Sequence, residues 1–280
     1  MKLSVVLATR NEEENIARCL ESVKNIADEV IIVDEYSTDK TREIAEKLGA
    51  KVYLEEHHDI FHITKQIALE KAKGEWILQL DADEVITPEL SNEIKLVLSH
   101  TPPTINNPLF IRHQKLIEDR DGKIGKDTGE VVAYFIPRLN MFLGKPLIHA
   151  GVYPDPAIRL VKNGKAYFPA KSVHEIMQID GQIGWLSKNM LHYDSPTMKR
   201  YLMRLNRYTD LKAQEMLDSK LRKNLWSFLQ YTIFEPLYTF ASLYLRHKGF
   251  LDGPNGFLWS FFSALHYPIS YFKYITSDLK

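Results

Sequence analysis

Three acidic residues follow an apolar run in the stretch WILQLDADEVIT, which covers residues 76–87. Only one alanine interrupts Asp81, Asp83 and Glu84, so their like charges repel one another unless a cation or water offsets the repulsion. Two aspartates that flank a small residue can offer oxygen atoms to one hard cation, such as Mg²⁺ or Mn²⁺, which completes its shell with phosphates and water. The stretch therefore predicts a divalent-cation site, if its place in the fold is suitable.

The first hundred residues supply such a place, because apolar and amphipathic segments alternate regularly along them. Four apolar runs predict strands, and a predicted helix follows each of them: the runs are KLSVVLA, DEVIIVDE, KVYLEE and EWILQL. This alternation is typical of a parallel sheet with right-handed crossovers, whose ligands bind beyond the carboxyl ends of the strands. Polar residues at 9–12, 34–35 and 81–84 end three of these strands. We therefore expect the three groups to surround one binding site.

Residues 100–195 are less regular and predict a different kind of sheet. Turns marked by Gly and Pro separate three candidate strands, which are NNPLFIRHQ, GEVVAYFIPRLNMF and DPAIRLVKNGKAYFP. We expect them to form an antiparallel extension that supplies the second wall of the cleft.

The composition argues against several classes of protein. The chain has 280 residues, in which 36 Lys and Arg balance 36 Asp and Glu, whereas a general nucleic-acid-binding domain is normally basic. Its single cysteine, Cys19, excludes an internal disulfide and suits a reducing compartment. The apolar part of MKLSVVLATRNEE is too short for a signal peptide, so none is expected. The sequence thus predicts a cytoplasmic protein that does not bind nucleic acid.

The last third of the chain combines a basic stretch with an aromatic one. Residues 188–223 carry nine Lys and Arg against four Asp and Glu, and residues 225–280 hold 16 of the 31 Phe, Trp and Tyr residues. The segment SPTMKRYLMRLNRYTDLKAQEML predicts a helix that Ser195 caps. Three cations fall on one face of this helix: Arg200, Arg204 and Arg207. That face predicts contact with anionic lipid headgroups, with a solvated surface helix as the alternative.

The aromatic segments are long enough to cross a bilayer but are interrupted. Glu235 and Pro236 stand in the middle of LWSFLQYTIFEPLYTFASLYL, and His266 and Pro268 interrupt FLWSFFSALHYPISYFKYI. Charges and broken helices are costly in hydrocarbon, while Trp and Tyr prefer the membrane interface. We therefore expect helices that lie in the interface. A buried oligomer interface is the alternative, because aromatic residues are enriched there too.

Several of these motifs together resemble a known family of enzymes. VVLATRNEEENIARCLESV, EVIIVDEYSTDKTREIA and AKGEWILQLDADE resemble the inverting family 2 glycosyltransferases with the GT-A fold. Later stretches, among them SVHEI, LHYDSP and KGFLDGPNGF, resemble its lipopolysaccharide-core β-1,4-glucosyltransferase subgroup. The resemblance implies an α/β fold with a Rossmann-like, mostly parallel central sheet flanked by helices. It also implies a metal-dependent hexosyltransferase that uses a nucleotide-sugar donor, usually a UDP-sugar, with Mn²⁺ or Mg²⁺ at the Asp-x-Asp motif.

The resemblance assigns ranges and donor-binding roles to this chain. It implies a glycosyltransferase domain at 1–195, with a nucleotide-binding half at 1–100 and an acceptor half at 101–195, and a basic and aromatic helical extension at 196–280. Its motifs place six residues around the donor, which are Thr9, Asn11, Glu12, Asp34, Lys65 and Asp81. Among these, Asp34 matches an aspartate that accepts a hydrogen bond from uracil. Arg159 in AIRLVK is a further donor-binding candidate, because a guanidinium can pair with a diphosphate oxygen. For Arg159, a surface ion pair is the alternative.

The resemblance also implies metal ligands and a general base. The implied metal ligands are Asp81, Asp83 and His192, although a lone histidine such as His192 is also often structural. An inverting transfer needs a base within hydrogen-bonding reach of the acceptor hydroxyl. Glu175 in SVHEI matches a His-Glu pair of the subgroup and is the expected base, with Asp155 as its rival.

The expected partners follow from the same resemblance. The acceptor would be a lipid-linked or lipopolysaccharide-core saccharide, and the protein would lie on the cytoplasmic face of the inner membrane, held by residues 196–280, with a homo-oligomer as a further possibility. Two alternatives belong to other classes. A nucleotidyltransferase would need a glycine-rich phosphate loop, which ATRNEEENIA lacks. A non-catalytic, membrane-bound module that binds nucleotide sugars or saccharides stays open.

Overall fold

A computed structural model describes residues 1–103, 105–169 and 176–277. The chain divides into two compact units. The first consists of Met1–Arg138 and Pro154–His192, and the second of Leu139–Tyr153 and Tyr193–Lys280. The second unit thus begins near the change of composition that the sequence shows after residue 188, and it also takes in a segment from the middle of the chain.

The described residues form twelve strands, which we number in chain order. They are β1 Leu3–Thr9, β2 Glu29–Asp34, β3 Lys51–Leu54, β4 Trp76–Leu80, β5 Glu84–Ile86, β6 Val131–Phe142, β7 Lys145–Pro146, β8 Asp155–Lys162, β9 Ala166–Tyr167, β10 Gln178–Ile179, β11 Gln182–Trp185 and β12 Met190–Ser195.

The described residues also form nine α-helices, which are α1 Ile16–Val23, α2 Thr41–Lys47, α3 Phe61–Lys71, α4 Pro88–Leu98, α5 Pro108–Asp121, α6 Met198–Asp218, α7 Leu225–Leu229, α8 Glu235–Ala241 and α9 Gly253–Thr276. Two π-helical turns, Gln230–Phe234 and Ser242–Arg246, and a 3₁₀ turn, Gly249–Asp252, lie between α7 and α9.

The central sheet confirms the predicted parallel arrangement of the first hundred residues. Strands β3, β2, β1 and β4 lie side by side in that order, and every pairing among them is parallel. The pairing registers set Thr9 beside Asp34 and Leu7 beside Leu80, so the carboxyl ends of β1, β2 and β4 lie at one edge. The residues that follow β4, including Asp81, therefore lie at the edge where ligands of such sheets bind.

Helices cover both faces of this sheet, because successive side chains of a strand point to opposite faces. Leu3, Val5 and Leu7 of β1 pack into one buried cluster with residues of α1 and α4. Val6 packs into a second cluster with residues of α3, among them Ala68. Both faces of β1 are thus apolar, which explains why its sequence reads as a continuous apolar run.

The antiparallel extension is confirmed in part and corrected in part. Strand β8 pairs antiparallel with β4 and with β6, as two of the candidate strands predicted. The third candidate, NNPLFIRHQ, is not a strand but the start of helix α5. Asn107 caps this helix, since its Oδ1 accepts a hydrogen bond from the Leu109 amide at 3.0 Å, and Pro108 takes the first helical position. The Phe110 ring stacks on Trp185 with centroids 4.7 Å apart.

The second unit is mainly helical and corrects three local predictions. The cap of α6 is Thr197, whose Oγ1 accepts a hydrogen bond from the Arg200 amide at 3.2 Å, while the predicted cap Ser195 belongs to β12. Pro268 does not break α9, which is continuous through it. Pro236 does not break the helix either, because the chain stays helical from the π-helical turn Gln230–Phe234 into α8 and the Glu235 amide donates to the Gln230 carbonyl. No helix in the described ranges combines the length and apolar character that membrane crossing requires.

The start of α9 depends on two glycines in KGFLDGPNGF. A Cβ atom on Gly256 would lie 1.9 Å from the carbonyl oxygen of Gly249, so no larger residue fits there. The conformation also holds His149, whose amide donates to Asp252 Oδ2 at 2.8 Å. This motif is thus explained by close backbone packing within the second unit.

Candidate active site

A cavity of about 310 Å³ opens in the first unit at the carboxyl ends of β1 and β4. Its charged and polar lining residues are Arg10, Glu12, Lys65, Asp81, Asp83 and His192. These come from the loop after β1, from α3, from the loop after β4 and from β12. The structure therefore brings five of the residues singled out in the sequence to one place, together with Arg10, which received no role there.

Asp81 lies between two cations. Its Oδ1 is 2.6 Å from Lys65 Nζ, and its Oδ2 is 2.6 Å from Arg159 Nη2. Burial by itself would raise the pKa of Asp81, but the charges of Arg159 and Lys65 outweigh it and hold the pKa well below its usual range. The repulsion among the acidic residues is thus offset by side chains of the chain itself, not by a metal alone.

Arg159 lies beneath the cavity in a buried network of hydrogen bonds. Its guanidinium donates to Glu84 Oε1 at 2.6 Å, to Asp81 and to the side chain of Gln79. Glu84 is fully buried, and its Oε2 accepts a hydrogen bond from the Asp81 amide at 2.9 Å. Burial would lower the pKa of Arg159, yet Asp81 and Glu84 raise it, so the guanidinium stays charged. Arg159 therefore holds the acidic loop, and its predicted contact with the donor stays a prediction.

Asp83 and His192 form the part of the site that suits a metal ion. His192 Nε2 lies 3.6 Å from Asp83 Oδ1, and two ligand atoms that are each about 2.1 Å from one ion can be at most about 4.2 Å apart. Burial lowers the pKa of His192 to about 4, helped by the nearby charge of Arg138. The imidazole is therefore neutral at pH 7, as a metal ligand must be. This geometry fits a divalent cation.

Asp34 lies at the end of the neighbouring strand, and its carboxylate is fully buried. Its Oδ2 accepts hydrogen bonds from Thr9 Oγ1 at 2.8 Å and Ser37 Oγ at 2.6 Å, while its Oδ1 accepts from the Ser37 amide at 2.7 Å. Three of its roughly four acceptor positions are therefore used within the chain. The structure shows Asp34 and Thr9 fixing the loops after β1 and β2, and their predicted contacts with a nucleoside stay predictions.

Asn11 and Glu12 hold the same two loops together. Asn11 has a φ of 56°, a left-handed conformation that asparagine tolerates better than most residues, and its Oδ1 accepts from the Thr38 amide at 2.8 Å. Glu12 lines the cavity, and its amide donates to Thr41 Oγ1 at 2.7 Å. The donor-binding loop predicted from the sequence is therefore an ordered turn at the rim of the cavity.

A chain of hydrogen bonds that the sequence did not reveal supports Arg10. Glu35 is buried and lies 2.6 Å from His57 Nδ1, and His57 Nε2 lies 2.8 Å from Arg10 Nη1. The hydroxyl of Thr64 also donates to Glu35. A neutral His57 that donates to Glu35 can accept from Arg10, so it orients the guanidinium at the cavity. No metal-ligand spacing marks His57 in the sequence, and its partners Glu35 and Arg10 lie 22 and 47 positions away.

The structure describes only one of the two candidate bases. Glu175 lies outside the described residues, so its role stays a prediction. Asp155 is described, and its Oδ2 lies 2.8 Å from Arg138 Nη2. Arg138 also reaches Glu84 at 3.6 Å, so it joins Asp155 to the network beneath the cavity. Gln79 gave a signal for this network, since it is an amide within an otherwise apolar strand.

Comparison with known proteins identifies the family. The model of glycosyl transferase family 2 matches residues 4–125. An uncharacterized glycosyltransferase from Rickettsia conorii is 30% identical over 291 residues, which cover 100% of this chain and 92% of the relative. The chain belongs to glycosyltransferase family 2. The central sheet with helices on both faces is the GT-A arrangement that the resemblance implied, and the resemblance itself is confirmed.

Other relatives of this family 2 glycosyltransferase are more distant. The lipopolysaccharide core biosynthesis glycosyltransferase LpsC from Rhizobium meliloti is 24% identical over 277 residues, which cover 94% of this chain and 91% of LpsC. Among solved structures, the mannosyltransferase PcManGT from Pyrobaculum calidifontis, in complex with GDP-Man and Mn²⁺, matches 98% of this chain and 87% of that chain, with 12% identity and a TM-score of 0.49. Staphylococcus aureus TarS in complex with UDP matches 90% of this chain and 75% of that chain, with 20% identity and a TM-score of 0.38.

Proposed function

We propose that this glycosyltransferase transfers a hexose from a UDP-sugar, with inversion, to a lipid-linked or lipopolysaccharide-core saccharide, and that it requires a divalent cation. The observation that carries the proposal is the cavity at the strand ends, where acidic, basic and imidazole side chains converge. Family membership provides the reaction class, and the name of the LpsC relative supports a lipopolysaccharide acceptor.

Different residues of the cavity would bind the cation and the phosphates of the donor. Asp83 and His192 would hold the cation, which when bound neutralises charge on a departing diphosphate. Lys65 and Arg10 line the same cavity and can donate hydrogen bonds to phosphate oxygens. Asp81 keeps Lys65 at a fixed place through its contact of 2.6 Å. Inversion would follow from direct attack of an acceptor hydroxyl, with Glu175 removing its proton.

Association with a membrane is the second part of the proposal. The second unit exposes a series of large apolar side chains along the helical turns from α7 to α9, where Trp226 is 64% exposed, Leu237 65% and Tyr238 66%. Such a surface is suited to the interface of a bilayer, where a lipid-linked acceptor would also lie. The predicted basic face of α6 is weaker support, because Arg204 is paired with Asp194.

Release of UDP from UDP-sugars in the presence of Mn²⁺ or Mg²⁺ tests the catalytic part. We expect Asp83→Asn to reduce the rate by about 100-fold, because it removes a charged metal ligand. Asp127→Asn is the matched control, since the Asp127 side chain is 82% exposed and its carboxylate pairs with Lys123 at the surface. With an acceptor present, Glu175→Gln should abolish transfer while UDP binding is retained, and Asp155→Asn should not.

Two results would contradict the proposal. If wild type and Asp83→Asn release UDP equally slowly while both bind a UDP-sugar, the alternative of a non-catalytic binding module is correct. If Asp155→Asn abolishes transfer and Glu175→Gln does not, the base is Asp155.

A further inference from the structure

A second cavity lies within the second unit, between α6, α8 and α9, and has a volume of about 370 Å³. Four of its lining residues share one face of α6, at positions 201, 204, 205 and 208, and four share one face of α9, at positions 259, 263, 266 and 267. This volume is within the range of small-molecule sites. The cavity contains none of the residues proposed above for catalysis or for the donor.

The walls of this cavity combine aromatic rings with polar atoms. Of the eleven described residues that line it, only Leu205 has a side chain without a nitrogen or oxygen atom. Tyr201, Tyr208, Trp259 and Tyr267 contribute ring surface. The Tyr201 and Trp259 rings are 6.0 Å apart and both contact other buried rings, so this wall is rigid.

The polar groups of the cavity have defined states at neutral pH. Arg204 is paired with Asp194 and lies over the Tyr208 ring at 5.6 Å, so its charge is largely neutralised. Burial raises the pKa of Tyr201 to about 12, which keeps its hydroxyl protonated. Burial also lowers the pKa of His266, so the neutral imidazole can both donate and accept a hydrogen bond.

This lining decides between three classes of ligand. An acyl chain would cover the His266 imidazole and the Tyr267 hydroxyl without giving either of them a hydrogen bond, which is costly. A free phosphate would leave the aromatic walls unused and would meet an arginine that already has an anionic partner. A pyranose ring presents an apolar C–H face to aromatic rings and hydroxyls to polar groups at their edges.

We propose that this cavity binds a pyranose residue of the acceptor saccharide. The assignment of this pyranose to the acceptor rests on the proposed function, whereas the binding of a pyranose rests only on the lining of the cavity. The site would select acceptors by a sugar other than the one that reacts.

Saturation-transfer NMR on the full chain, without donor or cation, tests the proposal. The probes are methyl glycosides of glucose, galactose and N-acetylglucosamine, with sodium octanoate as the aliphatic probe and inorganic phosphate as a competitor. We expect saturation of the ring protons of at least one glycoside and none of the octanoate chain. Tyr208→Ala should weaken glycoside binding at least about fivefold, because a Tyr side chain is often a dominant contact, and Tyr208→Phe should retain most of it.

Tyr167→Ala is the matched control, since Tyr167 is an exposed tyrosine that does not line the cavity. Thermal unfolding followed by circular dichroism shows whether each variant is folded. Saturation of octanoate alone, competition by phosphate, or equal losses in Tyr208→Ala and Tyr167→Ala would overturn the proposal. Loss of donor turnover in Asp83→Asn with glycoside binding intact would support both proposals, whereas absence of turnover in wild type with glycoside binding intact would refute only the proposed function.

Discussion

At the scale of single residues, the acidic stretch after β4 is held by cations of the same chain. Arg159 contacts both Asp81 and Glu84 at 2.6 Å and is itself only 6% exposed. A buried charge that loses its partner is strongly destabilising, whereas an exposed ion pair contributes little. The contribution of Arg159 to the free energy of unfolding can therefore be measured separately from any role of Arg159 in donor binding.

Arg159→Met should lower the free energy of unfolding by about 3–5 kcal/mol, because it leaves the carboxylates of Asp81 and Glu84 without their main partner. Lys162→Met on the same strand is the control, since its partner Glu130 is 64% exposed and the pair should be worth less than about 1 kcal/mol. Urea denaturation followed by circular dichroism measures both. Equal losses in the two variants would show that Arg159 has no special structural role.

His192 gives the site a dependence on pH. Its pKa in the folded protein is about 4, below the value of 6.5 for an unperturbed imidazole, so the unfolded chain binds more protons between these values. Stability is therefore fully present above pH 6.5 and is lost as the pH falls towards 4, by up to about 3 kcal/mol from this residue. His192→Gln should reduce the loss of metal-free stability between pH 7 and pH 4.5, while His100→Gln, at an exposed position, should not. Identical pH profiles for wild type and His192→Gln would contradict this explanation.

At the scale of elements, two prolines with similar sequence surroundings have different structural effects. Pro268 lies inside α9, where it removes a backbone hydrogen bond, and Pro236 lies in the first turn of α8 after a π-helical turn. Phe234 and Glu235 have helical backbone angles and the Glu235 amide donates to the Gln230 carbonyl, so Pro236 lies where a wider π-helical turn passes into α8. We expect this wider turn to accommodate the proline ring at a lower cost than the regular helix around Pro268. The sequence alone predicted a break at both places.

Pro268→Ala should raise the free energy of unfolding by about 1–3 kcal/mol, because alanine restores the missing amide in the helix interior. Pro236→Ala should change it by less than about 1 kcal/mol, because the π-helical turn already accommodates the proline. Thermal denaturation of both variants provides the measurement. A larger gain from Pro236→Ala than from Pro268→Ala would mean that the π-helical turn does not relieve the cost of Pro236.

Elements with a strong local pattern were predictable, and those that depend on distant contacts were not. Strands β1, β2 and β4 followed from apolar runs whose two faces are both buried, and the loops at 9–12 and 81–84 followed from β1 and β4. Strand β3 is mostly exposed and followed from its place between two predicted helices. The sequence predicts a strand where helix α5 begins, because the apolar residues of this helix are few and its cap, Asn107, stands within the apparent strand NNPLFIRHQ. The contact of Glu35 with His57 was missed because 22 positions separate them. Such contacts are set by packing that no local pattern encodes.

At the scale of the whole molecule, the second unit exposes an apolar surface that contact with a partner would remove from water. Soluble monomers rarely expose so many large apolar side chains in one segment. The proposed partner is a membrane surface, and the alternative from the sequence is a second copy of the chain.

Replacing Trp226, Leu237 and Tyr238 together by Ser should reduce binding to vesicles with anionic lipid by about tenfold or more, because their apolar area no longer enters the interface. The control replaces Tyr53 and Leu54 of β3 by Ser and should leave vesicle binding unchanged. These two residues are 40% and 48% exposed and belong to the first unit. Sedimentation with vesicles measures binding, and size-exclusion chromatography reports self-association. A wild-type protein that forms a dimer and ignores vesicles would favour the alternative.

The pairing of Asp81 with Lys65 and Arg159 has a consequence for the stability of the enzyme when no substrate or metal ion is bound. Since the chain carries its own counter-ions, the loop after β4 keeps its shape whether or not an inorganic ion has arrived. Under the proposed requirement for a divalent cation, a shortage of magnesium or manganese would therefore slow the enzyme without unfolding it.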